Sequence, residues 1–402
     1  MKFRIVDFVS VSLVFCILFR GTLGVVAGPV GANLAFAILY SSFFVLAIKK
    51  IKIDKANLAH YIFVFYCFLL AAIYPIFEWY GNYFTAFIGF SNLAAPMFFW
   101  LMMRQCGIDS KKVMMGIWLI LLVNAIGAII QYFVSPTVFG LVHHNVYSEE
   151  EILSQGHVLK RAISFISSPQ SLSIAMGVGI STSIFLFRRW KMLIFCLVFF
   201  IAGVLTVSKA FYIYLLVSLL WYYRKKVFAS SVLIFALSFL LLFVPSDNEL
   251  FTRVAKVLFY IQNISEYSAF NIWVTAFSYS LENYGYIFGR GIGVFSRGSQ
   301  LMLDYQIYTS ASSVLTTGST ESFIIQIIVE LGVVGLIFWV FTVFSSVVKI
   351  SRSLSERSDL ISGVLLSVFV VSFFTPALYG FVTSVIFNFF LINYRGLMAF
   401  NK

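Results

Sequence analysis

From residue 5 to residue 394 the chain is a succession of apolar runs, many of them long enough to cross a bilayer. The runs fall at 5–19, 30–48, 60–77, 83–103, 113–134, 170–187, 190–207, 210–223, 227–244, 322–347, 360–374 and 376–394. In hydrocarbon a backbone amide or carbonyl has no water to bond, so runs of this kind fold as helices. The expectation is an all-α polytopic membrane protein of about 12 transmembrane helices, with 11–13 as the range because the pieces at 5–19 and around 208 are short. The first run lacks a small-residue cleavage site and reads as a retained helix, not a signal peptide. Composition agrees: 61% of residues are hydrophobic and 11% charged, where a soluble chain is about one-quarter charged. With no internal repeat, low-complexity tract or soluble domain, residues 1–402 read as a single membrane domain.

A net charge of +12 invites an acidic partner, but its distribution points to topology. Sorted by the alternating loops that the runs imply, 20 of the 28 Lys and Arg fall on one side. That bias marks the cytoplasmic face and puts both termini there. No nucleic-acid partner is needed to explain the charge. The eight cations on the other side are Arg20, Lys160, Arg161, Lys209, Arg253, Lys256, Arg290 and Arg297. Topology does not explain those, so function is sought among them. Cys16, Cys67, Cys106 and Cys196 lie in or beside apolar runs, at spacings that suggest neither a disulfide framework nor a zinc site.

Two outer loops, about 135–169 and 245–321, are longer than a turn requires, and loops of that size on a helical scaffold usually carry function. Within the second, 263–285 has aromatics at roughly helical spacing and reads either as an amphipathic helix on the outer membrane surface or as an ordinary packed loop helix. RAISFISSPQS (161–171) places Arg161 upstream of a Ser168–Pro169 cap and first-turn pair. An arginine beside free helix amides suits phosphate, and contact with lipid headgroups is the plain alternative. LTVSKAF (205–211) puts Lys209 in a break between two short helices, either at a tight outer turn or in a re-entrant arrangement. FGRGIGVFSRG (288–298) has glycines enough for a nucleotide loop, but no strand precedes it. Its glycines would instead let backbone amides and Arg290 approach one anion closely. His143, His144, His157 and Glu149–Glu151 match no strong metal-binding spacing, and no metal or other cofactor is expected.

STESFIIQIIVELGVVG (319–335) holds two carboxylates. Ser319 or Thr320 can cap a helix whose first turn contains Glu321, where the positive end of the dipole keeps it ionised. Glu330, nine residues on, would lie about 13–14 Å deeper and on the opposite face, so the two cannot form a close acid–base pair. Gln326 shares a face with Glu330, and Gly332 and Gly335 permit close helix packing. Glu330 therefore reads as a protonated or hydrogen-bonded packing residue, and Glu321 as the functional candidate.

In this order, RAISFISSPQSLSIAMG, LTVSKAF, FGRGIGVFS and STESFIIQIIVELGVVGLIFW resemble the O-antigen polymerase and ligase superfamily of bacterial inner membranes. The likeness covers the second half of the chain; the first half is similar in hydropathy alone. It implies a GT-C-like fold with two elaborated periplasmic loops, in the inner membrane of a Gram-negative bacterium, with a metal-independent active site facing the periplasm. The implied reaction is glycosyl transfer between oligosaccharides linked by pyrophosphate to undecaprenol, one as donor and one as acceptor. A chain-length regulator and a flippase are the implied protein partners. Arg161, Lys209, Arg290 and Arg297 would bind pyrophosphate, with Arg161 and Arg290 also stabilising the leaving group, and Glu321 would meet the acceptor hydroxyl. Lys209 stands where relatives more often carry arginine, and the arginine that relatives often have near SEYSAFNIW (265–273) is missing, so Arg290 would take its place with Arg297 or Arg253 in reserve. Ligases typically show histidine then asparagine where this chain has Thr320, Glu321 and Ser322, which favours a polymerase over a ligase. From another class, a lipid-linked oligosaccharide flippase or other transporter would tend to show repeated halves and midplane polar residues on several helices.

Overall fold

The structure, a computed structural model, describes residues 4–48, 53–77, 83–134, 162–166, 168–206, 208–224, 268–281, 285–293, 322–352 and 355–399. Among these residues there is helix and no strand. The helices are α1 (Ile5–Leu18), α2 (Arg20–Ile48), α3 (Leu58–Ile73), α4 (Tyr83–Leu93), α5 (Ala95–Gln105), α6 (Ser110–Phe133) and α7 (Pro169–Leu186). They continue with α8 (Arg189–Leu205), α9 (Lys209–Tyr223), α10 (Ser268–Leu281), α11 (Gly285–Phe288), α12 (Phe323–Ser351), α13 (Glu356–Val371) and α14 (Phe381–Met398). Four of them (α6, α7, α12 and α14) are long and apolar enough to cross a membrane, or six spans if each of two bent pairs counts as one.

Most apolar runs became helices where expected, and the differences have local causes. The run 83–103 is two helices, α4 and α5, bent by 54°. Pro96, in the first turn of α5, has no N–H to give and crowds the turn before it. The run 30–48 is the later part of α2, whose backbone breaks at Gly28 (φ 61°, ψ −150°) just before Pro29. Lys209 is the first residue of α9, directly after the expected break: Thr206 caps the end of α8 and Ser208 the start of α9. The run 227–244 lies outside the described residues. Ser268–Leu281 is a helix that packs against α12 with Ala276 and Ser280 fully buried, while Val274, Phe277 and Leu281 face outward.

The bundle has two unlike ends. At one, Arg4 donates to the Gly107 carbonyl (2.9 Å), the Asp109 amide to Asp7 (2.8 Å), and Arg104 and Arg395 share Asp54 at 3.5 and 3.8 Å. The same end holds Arg224, paired with Asp359 at 2.6 Å. These cations, which loop alternation had assigned to a single side, lie at the ends of α1, α5, α9 and α14 in separate bonded groups. Following the helices away from this end locates the other. α9 and α13 run antiparallel from the Arg224–Asp359 pair, which puts Lys209 and Ser372 together at the far end. There the carbonyls of Ser372 and Thr375 accept the Phe323 amide at 2.9 and 3.2 Å, so α12 also begins there.

Candidate functional site

At 29 residues α12 would be about 43 Å long if straight, well over the hydrocarbon thickness of a bilayer. It is not straight. Ser322 caps it, with φ −144° and its hydroxyl accepting from the Ile325 amide at 3.5 Å. The cap is thus Ser322 and not Ser319 or Thr320, and the first turn starts after Glu321. Ten residues, about 15 Å, further along, Gly332 adopts φ 70°, ψ −174°, a region open essentially to glycine alone. A break in a helix releases carbonyls of the preceding turn, and three of these find partners from outside. Val329 accepts from the Arg290 amide (2.8 Å), Glu330 from the Gly291 amide (3.2 Å), and Leu331 from the Tyr66 hydroxyl (2.8 Å). Gly332 was expected to permit close helix packing, and it does: the backbone of the one-turn helix α11 and of Gly289 lies against it. Gly335 faces α3, across from the Tyr66 ring.

The glycine-rich segment is shaped for that docking. Gly289, Gly291 and Gly293 have φ of 82°, 115° and 87°. A Cβ at Gly289 would run into the Glu330 carbonyl, and one at Gly293 into the Thr85 carbonyl on α4. The Tyr74 hydroxyl, just past α3, donates to the Gly289 carbonyl at 2.7 Å. Glu330 closes the arrangement. It is fully buried; its Oε2 accepts from the Gly293 amide at 2.9 Å and the Tyr379 hydroxyl at 2.8 Å, and its Oε1 from Gln326 Nε2 at 3.2 Å. The Gly293 amide is thus taken by the protein's own carboxyl, where the expectation had the segment's amides and Arg290 approach one anion together. The side chain of Arg290 is 2% exposed and lies over Gly285, where a Cβ would stand 2.6 Å from Nε.

The other two motifs meet in the same manner. Ser168 caps α7 with Pro169 in its first turn, as read from sequence, its hydroxyl accepting from the Ser171 amide at 3.3 Å. The segment before it is pinned by a buried side chain: Gln131 Oε1 accepts from the amides of Ile163 (3.0 Å) and Ser164 (2.8 Å). Ser164, at φ 49°, donates its hydroxyl to the Asn124 carbonyl at 2.8 Å. The Ala162 amide, next to Arg161 in the chain, donates to the Leu205 carbonyl at 3.0 Å, and Ser173 bonds Ser208 at 3.3 Å. RAISFISSPQS is thereby joined to LTVSKAF, and Lys209 opens α9 with its side chain exposed.

The described parts of the four motifs form two bonded pairs, 162–173 with 205–208 and 289–293 with 329–332, both in the part of the bundle away from the Arg224–Asp359 pair. Arg161, Arg297 and Glu321 lie outside the described residues, as do Arg253, His143, His144, His157 and Glu149–Glu151. Among the described residues no three His, Cys, Asp or Glu side chains cluster to hold a metal. Gln131, Tyr66, Tyr74 and Tyr379 were not singled out from sequence. Gln131, near the end of an apolar helix that carries one other amide, Asn124, was a readable signal; the tyrosines, among 21 in the chain, were not distinguishable. No protein-family model matches the chain, and no curated protein is detectably similar to it.

Proposed function

We propose that this protein polymerises O-antigen repeat units at the outer face of a Gram-negative inner membrane, as a metal-independent glycosyltransferase with a GT-C-like fold of about 12 spans. Its termini are cytoplasmic and its site periplasmic. The acceptor hydroxyl at the non-reducing end of a new lipid-linked unit attacks the anomeric carbon of the growing chain. The bond from that carbon to the pyrophosphate oxygen breaks, undecaprenyl pyrophosphate leaves with the electron pair, and the hydroxyl proton passes to Glu321 or to solvent. Arg161 and Arg290 offset the charge that develops on the leaving group, aided by Lys209 and Arg297 on the pyrophosphates. Glu321, just ahead of the α12 cap, orients the acceptor hydroxyl or takes its proton.

The observation that carries this reading is that the four motifs, far apart in the chain, meet in two bonded pairs, 162–173 with 205–208 and 289–293 with 329–332. Deleting the gene tests it. Loss of the lipopolysaccharide ladder with a single repeat still attached to core is the expected profile. Loss of all attachment, with carrier-linked polymer accumulating, indicates a ligase instead, and repeats stranded on the inner face indicate a flippase.

A further inference from the structure

A carboxyl group buried at membrane depth is by default a proton carrier, an ion ligand or part of a reaction. The geometry points to another role for Glu330: it is a positioning residue, a hydrogen-bond clasp that closes residues 289–293 over the break at Gly332 and so fixes Arg290. Both donors to Oε2 come from other parts of the chain, the Gly293 amide at 2.9 Å and the Tyr379 hydroxyl at 2.8 Å. The clasp thus ties α12 to the glycine-rich segment and to the turn before α14. Arg290 lies inside the closed loop. Its amide bonds Val329 on one side of the clasp, and Gly293 holds the carboxyl on the other. With the segment fixed at both ends, and Gly285 leaving room for the guanidinium, the arginine has one place to be.

Gln326 lets the clasp keep its hydrogen bonds in either protonation form of the carboxyl. Its Nε2 donates to Glu330 Oε1 at 3.2 Å. Turned over, the same amide presents an oxygen that accepts from a protonated carboxyl or from a carboxamide. Glu330→Gln therefore keeps these three bonds: its oxygen faces Gly293 and Tyr379, and its NH2 faces the turned Gln326. Glu330→Leu keeps the volume and leaves two buried donors unsatisfied.

The role in catalysis rests on the polymerase reading; the clasp itself does not, and the experiment separates them. Ile292, 2% exposed, is replaced by cysteine in a chain whose native cysteines are alanine, and maleimide labelling in detergent is timed. Labelling is expected to be slow with Glu330 and within about twofold of that with Glu330→Gln, and about tenfold faster with Glu330→Leu, since local opening governs access. Tyr379→Phe, which removes one donor and leaves the fold intact if Glu330→Leu does not, is expected to speed labelling about threefold. In the polymerisation assay Glu330→Leu is expected to raise KM for the lipid-linked unit about tenfold, and Glu330→Gln to restore it with an unchanged pH profile. Unchanged labelling in both Glu330→Leu and Tyr379→Phe overturns the clasp. Fast labelling with unchanged KM overturns the placing of Arg290 for the reaction. A Glu330→Gln chain that stays protected yet makes no polymer shows that the Glu330 proton itself is used, and overturns the positioning role. If the native chain makes no polymer, the polymerase reading falls, and labelling alone decides the clasp.

Discussion

Replacing Gly332 by alanine tests the joint between the two halves of α12. The added Cβ would run into the Ile287 carbonyl oxygen and stand 2.6 Å from the Gly289 amide nitrogen, so the docked backbone cannot stay where it is. The alternative, straightening α12, gives the 329–331 carbonyls their own helical amides and removes the docking site. Either way residues 287–293 leave the break. Four bonds go with them: Arg290 amide to Val329, Gly291 amide to Glu330, Gly293 amide to the Glu330 carboxyl, and Tyr74 hydroxyl to Gly289. At about 1 kcal/mol each, with about 1–3 kcal/mol for alanine held in a glycine-only region, the upper bound is about 5–7 kcal/mol. Straightening α12 relieves the strain and re-pairs some carbonyls, which brings the expected loss to about 3 kcal/mol. Thermal unfolding in detergent measures the loss, and labelling of Ile292→Cys reports where it arises. A Gly332→Ala chain that melts with the parent and keeps residue 292 protected would refute the docking geometry.

Arg161→Ala and Glu321→Ala are each expected to abolish the polymer ladder while single repeats still reach the core, read from a lipopolysaccharide gel of complemented deletion strains. A fully active Glu321→Ala removes that residue from the site. Gly177→Ala would press a Cβ into the Tyr214 ring between α7 and α9, costing about 1–3 kcal/mol by overpacking and lowering the detergent melting temperature. Asp359→Ala breaks the 2.6 Å pair with Arg224, whose side chain is 28% exposed. Its cost in the same melt falls below the roughly 3–5 kcal/mol of a fully buried pair, at about 1–3 kcal/mol.

The helices were legible because a bilayer leaves an apolar run little choice, and the Ser168–Pro169 start because capping is local. The Gly332 break was not. Residues 322–347 form one continuous apolar run, and hydropathy has no term for a φ of 70°. The signs were present separately: a carboxyl at 330, a glycine two residues later, and a distant segment with glycines at 289, 291 and 293. Each has an ordinary explanation, and only a fold that brings them into contact gives the joint one. Helical spacing put Gln326 on the face of Glu330, where the two bond, while Gly293 and Tyr379 lie 37 and 49 residues away, beyond any local rule. The motifs on each side of a bonded pair were recognisable singly; that 162 meets 205 and 290 meets 329 required the structure.

The central claim is that this chain joins lipid-linked repeat units without a metal. The most direct measurement gives the purified protein, reconstituted in vesicles with a chelator present, undecaprenyl-pyrophosphate-linked repeat units as its only substrate. The account predicts a ladder of carrier-linked oligomers, with undecaprenyl pyrophosphate released once for every bond formed, and no ladder from Arg161→Ala. Unchanged starting material, or transfer that occurs only when lipid A–core is added, would contradict it.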